Sequence, residues 1–288
     1  MEIHFLKIRW GDIIILKSGD RVAMIDTGYE GNFEQIREYL NALETRKIDF
    51  ILLSHFHPDH YGSIAQIVEN FEVGTVYLKE YSGLDYKTAG GKLADDDYRR
   101  SEEEKYRSIK RAVETHSRLG VTERTEEIEF DGYRLKLYHA QNLIRQIYED
   151  ETHLEFYHRI AFSENQNSLA ALMKVNGVNV FFGGDVRDEA WDHPLANRAN
   201  TQIAQAIGEQ IDIYKVPHHG TTRCNTDEAL ATYRPRMAVI TNGKAFVEER
   251  STILQDLARA NADVRVLLTE ERDVVIEISD VGEITVKN

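Results

Sequence analysis

Four residues able to bind a metal lie within six positions of this chain: His55, His57, Asp59 and His60, in the run Ser-His-Phe-His-Pro-Asp-His at 54–60. Imidazole nitrogen and carboxylate oxygen together suit zinc, manganese or iron. The chain has only 11 histidines in 288 residues, so three of them in six positions beside an aspartate is a far higher density than chance supplies. His55 and His57 are two apart, and in extended backbone they point the same way. Asp59 and His60 follow Pro58 and address a second ion a few ångströms further on. Two ions need more ligands than these four, including a carboxylate able to bridge them. The rest of the chain is therefore expected to bring an aspartate and at least one more histidine to the same point.

The surrounding pattern places the cluster on a loop. The apolar run Phe50-Ile51-Leu52-Leu53 reads as a buried strand, and Pro58 has no N–H to continue its pairing. Ile64, Ile67, Val68 and Phe71 then show helical spacing. Further on, Asn176-Gly177 predicts a hairpin turn between strands at 168–175 and 178–182. The second strand runs into Gly183-Gly184-Asp185, where a bridging carboxylate is expected. A short apolar strand at 211–216 ends in Pro217-His218-His219-Gly220, which supplies further imidazole. Other strands are expected at 2–9, 13–16, 21–25, 73–78, 237–241, 264–268, 273–278 and 282–286, with a hairpin at 126–139. Helices are expected at 32–43, 200–209, 226–232 and 251–260. Every candidate ligand falls at a strand end. No linker rich in Gly, Pro or Ser divides the chain, so residues 1–288 read as a single domain. A charged helical insertion at about 80–120 is placed over the core, at the entrance to the site.

Bulk properties narrow the function. The apolar fraction of 42% supports a substantial core, and no apolar stretch reaches membrane-spanning length. The opening residues lack the apolar region of a secretory signal. A lone cysteine, Cys224, precludes an intrachain disulfide and fits the reducing cytoplasm. The formal net charge of −14 argues against broad binding of nucleic acid, which needs a basic surface. No membrane partner is expected.

The motifs Ile-Asp-Thr-Gly (25–28), SHFHPDH (54–60), Gly-Gly-Asp (183–185) and His-His-Gly (218–220), in this order, resemble those of the metallo-β-lactamase superfamily. The resemblance implies an α/β fold of αββα sandwich type, with two mixed β-sheets flanked by helices. A finer likeness is to the hydrolase domains of bacterial DNA-uptake (competence) proteins and to phosphorylcholine esterases. It is carried by FLKIRWGDIIIL (5–16), NQNSLAALM (165–173) and VPHHGT (216–221). Carried over position by position, the family pattern gives His55 and His57 to a first metal and Asp59 and His60 to a second. Asp185 bridges them, and His218, first after its strand, is preferred to His219 for completing the second site. His219 is then free as a proton donor or phosphate contact, and Asp26 orients a ligand imidazole. Where many members of the superfamily carry a third histidine on the first metal, this chain has Asn165-Gln-Asn167-Ser. Asn167, or Asn165, is expected to give an amide-oxygen contact instead, with His139 and His158 as rivals.

The resemblance implies two divalent ions, Zn2+ or Mn2+, that acidify a bridging water to a hydroxide nucleophile. Asp59 is expected to orient that hydroxide, with His219 and Arg223 as further catalytic groups. The leading expectation is a phosphodiesterase or phosphate-ester hydrolase, acting on a small phosphate ester or nucleotide, with nucleic acid disfavoured by the net charge. The alternatives are a lactonase, thioesterase or β-lactamase-like hydrolase, or a non-catalytic metal-binding regulator of the same fold.

Overall fold

The computed structural model describes residues 1–83, 94–122, 125–139, 164–188, 198–221 and 224–287. The side chain of Gln166 also lies outside this description. Two mixed sheets lie face to face with helices on both outer sides. This is the αββα sandwich expected from the sequence.

The first sheet takes most of its strands from the N-terminal half: β1 (Glu2–Phe5), β2 (Ile13–Ser18), β3 (Arg21–Thr27), β4 (Lys47–Leu53), β5 (Glu72–Leu78) and β6 (Arg118–Val121), with β14 (Val274–Ile278) and β15 (Ile284–Lys287) returning from the far end of the chain. Its order is β15-β14-β1-β2-β3-β4-β5-β6. Strands β1 to β3 pair antiparallel, and β3 to β6 pair parallel. The second sheet has the order β13-β12-β11-β10-β9-β8-β7. Its strands are β7 (Glu127–Phe130), β8 (Tyr133–His139), β9 (Leu169–Val175), β10 (Val178–Phe182), β11 (Ile213–Lys215), β12 (Met237–Ile240) and β13 (Arg265–Leu268). It too is antiparallel at one side and parallel at the other.

Strand β4 shows why the central strands read as continuous apolar runs. Phe50 and Leu52 face the core between the sheets, with Ile25, Leu137, Ala171 and Phe182. Ile48, Ile51 and Leu53 face the helices α1 (Phe33–Ala42), α3 (Ile64–Asn70) and α4 (Asp96–His116). A parallel strand covered on both faces has no polar side to show. On the other outer face, α5 (Ala199–Ile207), α6 (Asp227–Tyr233) and α8 (Ile253–Ala260) cover the second sheet. The two hairpins of the second sheet turn on Asp131-Gly132 and Asn176-Gly177. All four residues have positive φ, the geometry that tight two-residue turns require.

Three expectations are refined. Asp59 and His60 lie not on an irregular loop but in a single helical turn, α2 (Pro58–Tyr61), which Pro58 opens as its first residue. The region expected as an insertion at 80–120 supplies the outer-layer helix α4, and its final residues form strand β6 beside β5. Tyr106 of α4 packs edge-on against Phe56, inside the metal-ligand run. The helix expected at 251–260 is preceded by another, α7 (Lys244–Arg250), and the two are separated by extended Ser251, whose hydroxyl bonds Gly220 O while receiving Ile253 N. Among the described residues no helix is long and apolar enough to cross a membrane.

Candidate ligands collect at one edge of the sandwich, where the parallel strands of both sheets end. Main-chain bonds fix that edge. Leu169 N donates to Ser54 O at 2.8 Å, joining the sheets, and Asp12 N donates to Asp59 O at 3.1 Å. The second contact depends on Gly11, whose φ is +120° and where a Cβ would meet Asp59 O at 2.7 Å. Gly11→Ala should therefore displace α2 and destabilise the fold by about 1–3 kcal/mol. Gly31→Ala, at a site with nothing within 4 Å, should stay within about 0.5 kcal/mol of wild type. Urea unfolding of the two variants makes the comparison.

Candidate metal centre

The carboxylate of Asp185, three residues beyond the end of β10 and directly after Gly183-Gly184, lies between two groups of imidazoles. Its Oδ2 is 3.4 Å from His60 Nε2 and 3.7 Å from His55 Nε2, and its Oδ1 is 3.4 Å from His219 Nε2. Oδ1 is buried and accepts no hydrogen bond.

One group comprises His60, His219, Asp59 and Asp185. His60 Nε2 and His219 Nε2 face each other at 3.3 Å, and Asp59 Oδ2 lies 3.9 Å from the first and 3.5 Å from the second. The opposite ring nitrogens are already engaged. His60 Nδ1 meets Asp26 Oδ2 at 2.8 Å, and His219 Nδ1 meets Thr241 Oγ1 at 2.9 Å, whose hydroxyl donates to Asp12 Oδ1 at 2.7 Å. With Nδ1 as the donor in each ring, both Nε2 atoms carry lone pairs aimed at one point. Donor atoms about 2.0–2.1 Å from a tetrahedral zinc stand about 3.3 Å apart, so the set fits a divalent cation. The expectation that His218 completes this site is corrected, because His219 occupies the place. The reason is local: the main chain at His218 and His219 is left-handed, with φ of 49° and 53°, which turns the second imidazole rather than the first toward His60.

The other group comprises His55, His57 and Asp185, whose ligand atoms lie within 4.8 Å of one another. His55 Nε2 and His57 Nδ1 approach to 3.0 Å. His55 Nδ1 bonds Ser54 Oγ at 2.9 Å, and that hydroxyl donates on to Asp26 Oδ2 at 2.8 Å. Of the two amides expected to offer an oxygen here, Asn167 donates its Nδ2 to Glu80 O at 2.8 Å and Glu164 Oε2 at 3.1 Å, and the Asn165 Nδ2 meets His218 Nε2 at 3.2 Å while its Oδ1 is buried without a hydrogen-bond partner. His139 Nε2 lies 3.4 Å from Thr125 O and belongs to neither group. His158 and Arg223 lie outside the described residues.

Two residues behind the ligands escaped the sequence reading. Asp12 and Lys215 form an ion pair with no solvent exposure, and Lys215 Nζ also donates to Gly184 O at 3.1 Å. Asp12 thereby braces Thr241 and His219. A signal was present: Lys215 interrupts the apolar strand Ile211–Val216, and a charge in a buried strand needs a buried partner.

Residues 11–142 match the family model of the metallo-beta-lactamase superfamily. Over the whole chain the structure is similar to the metallo-beta-lactamase fold protein YhfI from Bacillus subtilis, at 11% identity, covering 99% of each chain with a TM-score of 0.53. This is a metallo-β-lactamase fold. Also similar are the subclass B3 metallo-beta-lactamase MEM-A1 from a soil metagenome library, at 14% identity over 90% of this chain and 89% of that one with a TM-score of 0.47, and a putative metallo-beta-lactamase from Thermotoga maritima, at 20% identity over 62% and 70% with a TM-score of 0.37. The fold assignment rests on the first of the three. No curated protein matches the chain.

Electrostatics divide the two groups within this metallo-β-lactamase fold. Burial opposes charge on His60, but Asp185, Asp26 and Asp59 outweigh it and hold the imidazole protonated well above its ordinary range. Burial likewise opposes charge on His219, and Asp185 and Asp12 prevail, pushing it up to about 10. His55 behaves oppositely: burial, reinforced by the charge of His60, drives it well below its usual value. Asp185 stays ionised, since His219, His60 and His218 overcome the cost of its burial. A cation between His60 and His219 therefore displaces protons, whereas one at His55 displaces none from that ring.

Two predictions follow from this geometry. At pH 7, filling the site at His60 and His219 should release about two protons, and its apparent affinity should fall about tenfold per pH unit per displaced proton as the solution is acidified. Both rings stay protonated below their raised pKa values, so affinity rises with pH throughout the neutral range. Calorimetry in buffers of different ionisation enthalpy measures the release. Lys215→Met should cost about 3–5 kcal/mol by stranding the Asp12 carboxylate, read by denaturant unfolding of the metal-free protein.

Proposed function

We propose that this protein is a dinuclear metal-dependent hydrolase of phosphodiesters or related phosphate esters. The observation that carries the reading is the placement of Asp185, one buried carboxylate that lies between the two groups, its Oδ2 near both His55 and His60 and its Oδ1 near His219. Such an arrangement suits a pair of divalent cations, zinc or manganese, which supply an acidified water and positive charge against the oxygen that gains charge in the reaction.

The chain's own residues set the conditions for that chemistry. Asp59, held ionised by His60 and His219 against the cost of its burial, presents Oδ2 toward the His60–His219 gap, where it orients an attacking water. Tyr29 stands partly exposed near Asp59 and Asp185. Burial and these two carboxylates push its hydroxyl up to about 12, so it remains a neutral donor at neutral pH. Trp10 forms a wall beside the site, 5.4 Å from His219 between ring centres and 5.3 Å from Phe246.

Two features support phosphate over carboxylic ester. Arg187 is close enough to reinforce the effect of burial on His218, so a guanidinium adds positive charge near the His218-His219 turn. The motifs NQNS and VPHHGT carry the finer likeness to DNA-uptake hydrolase domains and phosphorylcholine esterases. The net charge of −14 favours a small phosphate ester or nucleotide over a long nucleic acid. The single thiol, Cys224, is buried, in keeping with action in the cytoplasm.

Elemental analysis of protein purified without added metal should find about two equivalents. The loaded protein should hydrolyse bis-(p-nitrophenyl) phosphate, and Asp185→Asn should lower kcat by at least about a hundredfold. Arg187→Ala should raise KM for the diester more than it changes kcat. Two equivalents with turnover confined to lactones, thioesters or β-lactams would move the substrate to that class. Absence of bound metal after reconstitution would remove the reading altogether.

A further inference from the structure

We propose that the cavity between residues 80–83 and the first turns of α4 binds a small phosphate that carries a flat ring, as a nucleotide does. This site lies beside the metal centre and stands independently of the reaction proposed there.

The first observation is position. Strands β5 and β6 are parallel, and α4 is the crossover between them. A crossover helix runs back against its strands. The first turns of α4 therefore lie at the edge where β4 and β5 end, which is the edge that carries His55 and His57. Residues 80–83 follow β5 directly and are tied to the same edge. Asn167 Nδ2 donates to Glu80 O at 2.8 Å, and Ser82 N donates to Glu164 Oε1 at 2.7 Å. Between this segment and α4 lies a cavity of about 690 Å³, a size that suits a small organic molecule.

The second observation is the lining. Arg99, Arg100, Arg107 and Lys110 supply four cations, and Tyr81 and Tyr106 supply two rings. The chain has 49 acidic residues against 35 basic ones, so a cavity where cations outnumber carboxylates runs against its composition. Arg99, Tyr106 and Lys110 recur at helical spacing and share one face of α4. The carboxylates of the lining are Glu80, Asp96 and Glu103. Asp96 meets Arg99 at 3.2 Å and Glu103 meets Arg107 at 2.6 Å, but the two acidic side chains are 90% and 51% exposed, and ion pairs so exposed are weak. The Arg99 side chain is 31% exposed, the more enclosed of its pair, so a phosphate can displace Asp96 and receive two parallel N–H bonds. Lys110 is half-buried and has no ion-pair partner among the described residues. The rings of Tyr81 and Tyr106 are 6.3 Å apart and tilted by 34°, and both pack on buried Phe56, at 5.5 and 5.2 Å. Phosphate charge thus meets Arg99 and Lys110 while a flat ring meets the tyrosines. Phe56 connects that contact to His55 and His57, its neighbours in the chain.

The test is calorimetric titration of the full-length protein with AMP and with ribose 5-phosphate, before and after removal of metal by a chelator. AMP should bind in both states, and about tenfold more tightly than ribose 5-phosphate, because only AMP has a base to stack. Arg99→Ala combined with Lys110→Ala should weaken AMP by more than about tenfold in both states. Circular dichroism and thermal melting report whether the variant folds. In wild type, with no variant needed, AMP should protect Lys110 but not Lys174 from acetylation read by mass spectrometry. Unchanged AMP affinity in the folded double variant, or acetylation of Lys110 unaffected by AMP, would overturn the assignment. Binding that vanishes with the metal would also overturn it, by moving AMP to the metal centre. Equal affinity for AMP and ribose 5-phosphate would remove the role given to Tyr81 and Tyr106. AMP binding retained without hydrolysis of any phosphodiester would instead overturn the proposed reaction and leave this site standing.

Discussion

Asp26 is the group on which the order of the metal edge depends. Its Oδ1 accepts the main-chain N–H of Ser54, and its Oδ2 accepts both the Ser54 hydroxyl and His60 Nδ1. Through Ser54 it also reaches His55 Nδ1. One carboxylate thus sets the tautomer of an imidazole in each group and pins the end of β4 at the same time. Burial raises its pKa, with His60 working in the other direction. A fully buried carboxylate is tolerated there because its acceptor capacity is filled by nearby donors. Asp26 itself adopts φ of 57°, so the strand end is bent to bring this side chain back beneath the loop it supports.

A second carboxylate does the same work from the other side. Asp12 stands behind His219 through Thr241 and is neutralised by Lys215. The two supports differ in kind. Asp26 is balanced by hydrogen bonds and one imidazole, whereas Asp12 draws on a permanent ammonium charge. The result is a ring of acceptors around two imidazoles that hold their protons tightly until something of greater charge takes the place.

Much of the architecture was legible because it rests on local signals. Asn176-Gly177 and Asp131-Gly132 announce hairpins, since few other pairs adopt positive φ twice in succession. The apolar runs at 50–53 and 211–216 announce buried strands. The run 54–60 announces a metal site by density of ligand types alone. The assignment of His218 and His219 was not legible, because ordinary alternation predicts the first residue after a strand to face the site and two left-handed residues reverse it. The bonds that Asn167 Nδ2 makes to Glu80 and Glu164 were not legible either, since no pattern near residue 167 reveals a partner at residue 80. Asp12 stayed hidden because a Gly-Asp pair between strands reads as a plain turn. The helix α7 was missed because Ser251, which separates it from α8, bonds across to Gly220 rather than to its sequence neighbours.

The candidate ligands are divided between the sheets. His55, His57, Asp59 and His60 follow β4 of the first sheet, whereas Asp185, His218 and His219 follow β10 and β11 of the second. A cation held by Asp185 and any residue of the first set is therefore a rivet through the seam of the sandwich. It closes a chain loop longer than one hundred residues, and long loops lose the most freedom when closed. The edge proposed for the chemistry would then also be a clasp, with the two halves of the sandwich tied together by the ion itself.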